Sequence, residues 1–224
     1  MPRPTRTIEG DTIYHVLNRA NAKMQIFEKE KDYLAFEKIL LEAKDKYPMR
    51  ILAYCLMPNH WHFVLYPKDK KDLPEFMRWI TLTHTQRWLV HRNMVGYGHL
   101  YQGRYKSFPI QEDSHFLQVC RYVERNALRA KLVNRAEDWR WGSAWIRKRG
   151  SQEQKQLVSP WPVPMTSDYL SWLNQRDESG ILINVRNAVS KGRPFGSENW
   201  IQRVVKKFKL ESTLHPRGRP RKGT

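Results

Sequence analysis

Residues 50–66 read RILAYCLMPNHWHFVLY. Two apolar, aromatic-rich runs, Arg50–Met57 and His60–Tyr66, flank the dipeptide Pro58-Asn59. Runs of this length and composition read as strands, and a Pro-Asn pair as the break between them. Strands joined so closely predict an antiparallel hairpin. Working outward, Thr12–Arg19 (TIYHVLNR) reads as a preceding strand. Asp32–Lys46 reads as a helix with Leu34, Ile39, Leu40 and Ala43 as its apolar stripe. Beyond the hairpin, Lys71–Asn93 predicts a long helix carrying Phe76, Ile80, Leu82, Trp88 and Leu89. Arg104–Ile110 predicts a fourth strand, edge-like because of Pro109. Asp113–Lys131 predicts a third helix, with Asp113 or Ser114 as N-cap. The order β-α-β-β-α-β-α predicts an α+β, ferredoxin-like fold: an antiparallel sheet with helices on one face.

The character changes after Trp145. Residues 1–147 form the expected main domain, 148–165 with Pro160, Pro162 and Pro164 a linker, and 166–224 a basic, partly helical C-terminal extension. Short helices are expected near Leu182–Ser190 and Glu198–Phe208, the second capped by Ser197. The final HPRGRPRKGT is basic and rich in Pro and Gly, a composition expected to stay disordered when unbound.

Charge is the loudest compositional signal. Lys and Arg number 40 against 22 Asp and Glu, a net charge of +18. Half of it lies in residues 185–224, with 11 Lys/Arg against 2 Asp/Glu. Such self-repulsion does nothing for folding and suits a polyanionic partner. No basic amphipathic helix or lipidation motif argues for a membrane surface instead. The longest apolar run, Ile51–Met57, is far too short for a bilayer, and MPRPTRTIEGD has no apolar signal-peptide core. Cys55 and Cys120 form no CxxC pair and no disulfide framework. A cytoplasmic, nucleoid-associated protein is therefore expected.

His60-Trp61-His62 sits in a predicted strand, so the two imidazoles project from one face and Trp61 from the other. Two imidazoles so placed can share a metal ion. On spacing alone they read first as half-buried strand histidines with ordinary hydrogen bonds. Tyr122 and Asn126 lie four apart in the third predicted helix, on one face. A phenol is a poor nucleophile at its free pKa of about 10. A metal ion polarising a phosphate oxygen would help it. Alone, Tyr122 is one of ten tyrosines.

The combination is more specific. A strand HxH after Met-Pro-Asn, followed about sixty residues later by RYVERNALRAKLV (121–133), resembles the HUH single-strand endonucleases. Within them it is similar to the REP-associated tyrosine transposases, relatives of tyrosine-type insertion-sequence transposases. YHVLNRANAKMQIF (14–27), AYCLMPNHWHFVLYP (53–67), LYQGRYKSFPI (100–110), WRWGSAW (139–145) and RPFGSENW…ESTLHPRGRPRK (193–222) extend the likeness over nearly the whole chain. The resemblance implies His60 and His62 as metal ligands, Tyr122 as nucleophile and Asn126 as third ligand through its amide oxygen. It implies Mg2+ or Mn2+, although by softness an imidazole pair suits zinc better. Relatives often have Pro after that Asn; here Ala127 stands there. The implied activity is cleavage and rejoining of single-stranded DNA at hairpins of repetitive extragenic palindromes, through a 5′-phosphotyrosine.

Tyr97, Tyr101, Arg104, Tyr105, Lys106 and Phe108 interleave aromatic and basic residues around the fourth strand, suiting unpaired bases and phosphates, though Phe108 reads as core. Arg19, Arg125 and Arg129 are further candidates for DNA contact. His84, Arg87 and His91 read as a polar helix face. Arg217, Arg219 and Arg221 in an Arg-Gly-Arg-Pro context suit a narrow minor groove, or a nonspecific basic tail. A non-catalytic nucleic-acid-binding module and a zinc hydrolase are the rival classes. The first lacks the RNA-binding sheet signature, the second a third ligand at zincin spacing. Both monomer and homodimer fit the sequence.

Overall fold

The computed structural model describes residues 7–96, 98–177 and 179–214. Four strands form one sheet: β1 (Ile13–Arg19), β2 (Met49–Met57), β3 (His60–Pro67) and β4 (Lys106–Ile110). Their spatial order is β2-β3-β1-β4 and every pairing is antiparallel. The hairpin of β2 and β3 closes with Met57 opposite His60. A bulge between Ile51 and Ala53 adds one residue to β2. It lets Ile51 and Tyr54 share one face while Leu52 and Ala53 turn to the other.

Helices α1 (Glu30–Lys46) and α2 (Asp72–His91) cover one face of the sheet. Tyr14, Val16, Tyr54, Leu56, Trp61, Phe63 and Leu65 meet Phe36, Leu40, Phe76 and Ile80 there. Helix α3 (Ser114–Glu124) covers the opposite face, where Phe116, Val119, Cys120 and Val123 pack on Ile13, Cys55, Val64 and Phe108. The sheet is therefore a filled middle layer, not a sheet with helices on one face as the element order suggested. The reason is the strand composition: β2 and β3 are apolar at both parities, and each fully buried large side chain stabilises by about 1.5–3 kcal/mol. The helix stripes also shift slightly: Leu34 and Leu82 are exposed, while Tyr33 and Phe36 take the buried positions on α1.

Asp113 caps α3, its carboxylate accepting from the His115 amide at 2.8 Å. The helix predicted over Asp113–Lys131 breaks at Arg125 (φ −85°, ψ 1°), and the short α4 (Asn126–Arg129) follows. The Tyr122 carbonyl accepts from the side chains of both Asn126 and Arg129. Side chains inserted into the backbone ladder in this way bend helices. The carboxylate of Glu124, nearly fully buried, accepts from Ser143, Tyr169 and Arg147, tying the end of α3 to α5 (Ser143–Arg149) and α7 (Tyr169–Asn174).

Residues 148–165, read as a linker, run along β2. They include α6 (Gln152–Lys155), and the Ser159 amide and Trp161 indole donate to the carbonyls of Ile51 and Leu52 at the bulge. Helix α8 (Ser179–Lys191) then packs Val185 and Ala188 on the α3 face. The chain crosses the open edge of the sheet, where Phe195 bridges Ile110 in parallel. Helix α9 (Glu198–Phe208) places Val204 and Phe208 in the α1/α2 face. Ser197 holds the N-cap position of α9, but its hydroxyl bonds the Gln111 side chain instead of the helix. The edge that Pro109 marked is thus partly covered by the extension.

Candidate active site

Alternation along β3 sends Trp61 into the α1/α2 core and leaves His60 and His62 on the α3 side, their rings 5.1 Å apart. Tyr122, on α3, faces this pair, its ring 5.9 Å from that of His62 and edge-on to it. The three residues line one cavity of about 800 Å³, together with Asn18, Arg19, Gln102, Gly103, Arg104 and Lys106. Val189 and Ser190 of α8 complete the wall. Six of the residues singled out in the sequence thus share one cavity: His60, His62, Tyr122, Arg19, Arg104 and Lys106.

Both histidines are held through Nδ1. That of His60 meets the Asn59 amide oxygen at 2.6 Å, and that of His62 meets Nε2 of His15 at 2.9 Å. An amide oxygen only accepts, so the His60 proton sits on Nδ1 and Nε2 keeps its lone pair. Burial pushes His60 down to about 4, with the Arg19 charge acting the same way. Burial, then the neighbouring His15 and His60, push His62 well below its ordinary 6.5. Both imidazoles are therefore neutral near pH 7, the form that ligates metals.

Asn126 is not among the residues lining the cavity. Its amide nitrogen donates to the carbonyls of Tyr122 and Val123, which leaves the amide oxygen as the end turned from the helix backbone. Arg129 stacks on the Tyr122 ring at 4.4 Å and also bonds its carbonyl. Arg125, an expected DNA contact, is instead buried: it bonds the Leu173 carbonyl and pairs with Asp177 at 2.9 Å. Its position at the helix break turns it away from the cavity and into the C-terminal segment. Tyr101, expected to stack on bases, is buried too. Its hydroxyl accepts from the Trp61 indole at 3.0 Å and meets His84 at 2.6 Å. His84, read as part of a polar face, is the other half of that buried bond, and burial pushes it down to about 3. Phe108 is core, as it was read in the sequence. Tyr97, Arg217, Arg219 and Arg221 lie outside the described residues.

The residue missed by sequence reasoning is His15. It is fully buried and joined edge to edge with His62, ring centres 5.0 Å apart and planes 17° apart. Alternation in IYHVLNR places His15 and Leu17 on one face, but only the register, with Leu17 opposite His62, brings that face to the site.

The topology is that of a solved REP-associated tyrosine transposase bound to a REP hairpin, matched with a TM-score of 0.52 at 17% identity over 80% of this chain and 99% of that one. A protein from Deinococcus radiodurans R1 described as a candidate transposase aligns at 17% identity over 55% of this chain and 97% of its own, with a TM-score of 0.40. The fold is that of the first of these two structures. The family model described as Transposase IS200 like matches residues 10–126, more than half of the sequence, and the chain belongs to that family. No curated protein matches it. Among the described residues no helix is long and apolar enough to cross a membrane.

Proposed function

We propose that this transposase is a metal-dependent single-strand DNA endonuclease and strand transferase acting at hairpins of palindromic repeats, with Tyr122 as nucleophile. The observation that carries the reading is the shared cavity: two neutral, Nδ1-anchored histidines and a helix tyrosine whose ring is 5.9 Å from one of them, beneath Arg19, Arg104 and Lys106. The structural neighbour's hairpin-bound state supports a DNA hairpin as substrate. The donor set fits a divalent cation, because the Nδ1 of each imidazole is engaged and Nε2 is the nitrogen left for a ligand: as a lone pair on His60, and on His62 once Nδ1 carries the proton. His60, His62 and the Asn126 amide oxygen would hold Mg2+ or Mn2+. When bound, such an ion supplies Lewis-acid polarisation of a phosphate oxygen.

The chain's own residues do the rest. Arg19, Arg104 and Lys106 take phosphates of the unpaired strand and exclude a random approach of the backbone. The Tyr122 oxygen bonds to phosphorus, the bond from phosphorus to the 3′-oxygen breaks, and the phenolic proton leaves to solvent while the 3′-oxygen gains one. The product is a 5′-phosphotyrosine and a free 3′-hydroxyl. The phosphoester bond is conserved, so rejoining needs no external energy source. The basic C-terminal extension, with Arg217, Arg219 and Arg221, would grip the duplex stem.

The test is a covalent-adduct assay. End-labelled hairpin oligonucleotides from around the protein's own gene are incubated with Mg2+ or Mn2+ and resolved under denaturing conditions. A labelled adduct is expected, lost with EDTA and lost in Tyr122→Phe, whose hairpin binding persists. Cleavage by Tyr122→Phe at the native rate would sink the reading, and tight binding with no adduct would leave a non-catalytic hairpin-binding protein.

A further inference from the structure

The two proposed ligand histidines are anchored by different chemistry. His60 is fixed by an amide oxygen, which can only accept. His62 is anchored by another histidine, and His15 can donate or accept through Nε2. His15 is fully sealed. Phe108 packs against its ring at 4.9 Å, the Tyr122 ring lies edge-on at 6.1 Å, and its Nδ1 is buried without a partner.

Two proton arrangements satisfy the 2.9 Å bond between the rings. In one, His15 donates from Nε2, and the His62 proton sits on Nε2, where it blocks ligation. In the other, His62 donates from Nδ1, its Nε2 lone pair is free, and the His15 proton moves to the unpartnered Nδ1. A buried N–H without an acceptor is costly, and orphaned donors are rarer than orphaned acceptors. The first arrangement is therefore the resting one, and the second is the one a cation requires.

We propose that His15 is a positioning residue that sets the tautomer of His62, so that binding of a divalent cation is coupled to a proton relocation within the buried pair. In the cation-bound state one proton moves from His62 Nε2 to its Nδ1 and one from His15 Nε2 to its Nδ1; no charge enters or leaves. This rests on the reading of His60 and His62 as ligands. It also gives the site a threshold: the cation must outweigh the cost of stranding the His15 N–H.

The test uses the full chain with 15N-labelled histidine, without and with Mg2+, and long-range 15N–1H correlation spectra to read each ring's tautomer. His60 is expected with its proton on Nδ1 in both states. His62 is expected to switch from Nε2–H to Nδ1–H on addition of Mg2+, with His15 switching from Nε2–H to Nδ1–H. Titration calorimetry with Mn2+ supplies the second readout. His15→Phe, which removes the acceptor, is expected to weaken Mn2+ binding about tenfold. His15→Gln, whose amide oxygen accepts from His62 without the relocation, is expected to bind at least as tightly as the native chain. A native chain that binds neither ion would refute the ligand assignment itself. Native binding with His62 already Nδ1-protonated in the metal-free state, or with His15→Phe unchanged, would refute the role of His15 alone.

Discussion

Acidification is expected to destabilise this fold well above the range where carboxylates titrate. His84 is the cleanest case. Its ring stacks on Phe27 at 5.3 Å, meets Phe36 edge-on at 4.7 Å, and accepts the Tyr101 hydroxyl at 2.6 Å. Burial pushes it from 6.5 to about 3, and burial does the same to His15. A folded-state pKa below the unfolded one means that the fold holds the neutral form. The stabilisation is complete above pH 6.5 and is lost as pH falls from there toward 3. At pH 5.5 an unfolded chain gains about 1.4 kcal/mol by protonating each such histidine, so the pair lowers stability by about 3 kcal/mol relative to pH 7.5. His60 and His62 act in the same direction. The assay is urea unfolding followed by tryptophan fluorescence at both pH values. His84→Phe, close in shape, should remove about half of the loss assigned to this pair. A native unfolding free energy that changes by less than about 0.5 kcal/mol between pH 7.5 and 5.5 would refute the reasoning.

Three further outcomes follow from the site and its supports. Arg104→Ala and Lys106→Ala should each weaken binding of a single-stranded oligonucleotide and lower the slope of log affinity against log salt by about 0.7, measured by fluorescence anisotropy from 50 to 300 mM salt. Arg125→Ala, from a buried position, should leave that slope unchanged while lowering the melting temperature. Glu124→Gln should cost about 2–3 kcal/mol in denaturant unfolding, because Arg147 loses its charge partner and the new amide nitrogen, whichever oxygen it replaces, faces the donor of either Ser143 or Tyr169.

The sheet and its two major helices were legible because their signals are local. Short apolar, aromatic-rich runs, the Pro58-Asn59 break and Pro109 at an edge each act within a few residues. The histidine pair was legible for the same reason: His60 and His62 share a face in any strand. What was not legible depends on partners far along the chain. Tyr101 carries an aromatic ring and a hydroxyl and suits either a base or a core, and Trp61 and His84 decide the matter. Arg125 looks like a surface cation until Asp177, fifty-two residues on, takes it. His15 joins the site only through the register of β1 on β3. The both-sided burial of the sheet escaped for a related reason: strands apolar at both parities predict two covered faces, but the element order alone leaves open where the third helix goes.

The break at Arg125 makes the position of Tyr122 a shared property of two distant segments. Arg121 in the last turn of α3 and Arg125 at its break, four residues on, both reach Asp177, at 3.3 and 2.9 Å, with side chains less than a tenth exposed. Arg121 also donates to the carbonyls of Trp172, Gln175 and Arg176, and Arg125 to that of Leu173. Tyr122 lies between these two anchors in sequence. Replacing Asp177 by Asn keeps the shape but leaves two buried guanidinium groups without a neutralising charge, which is expected to cost about 3–5 kcal/mol. The same change frees the segment that carries Tyr122 to shift, and a displacement of about 1 Å at a reacting group costs on the order of a hundredfold in rate. Asp177→Asn should therefore lower the rate of adduct formation far more than hairpin affinity, which is proposed to rest on Arg19, Arg104 and Lys106 across the cavity and on the basic extension. Equal losses in rate and affinity, in a variant shown by circular dichroism to be folded at the assay temperature, would mean that the arginine pair supports the whole DNA-binding surface and not the placement of Tyr122.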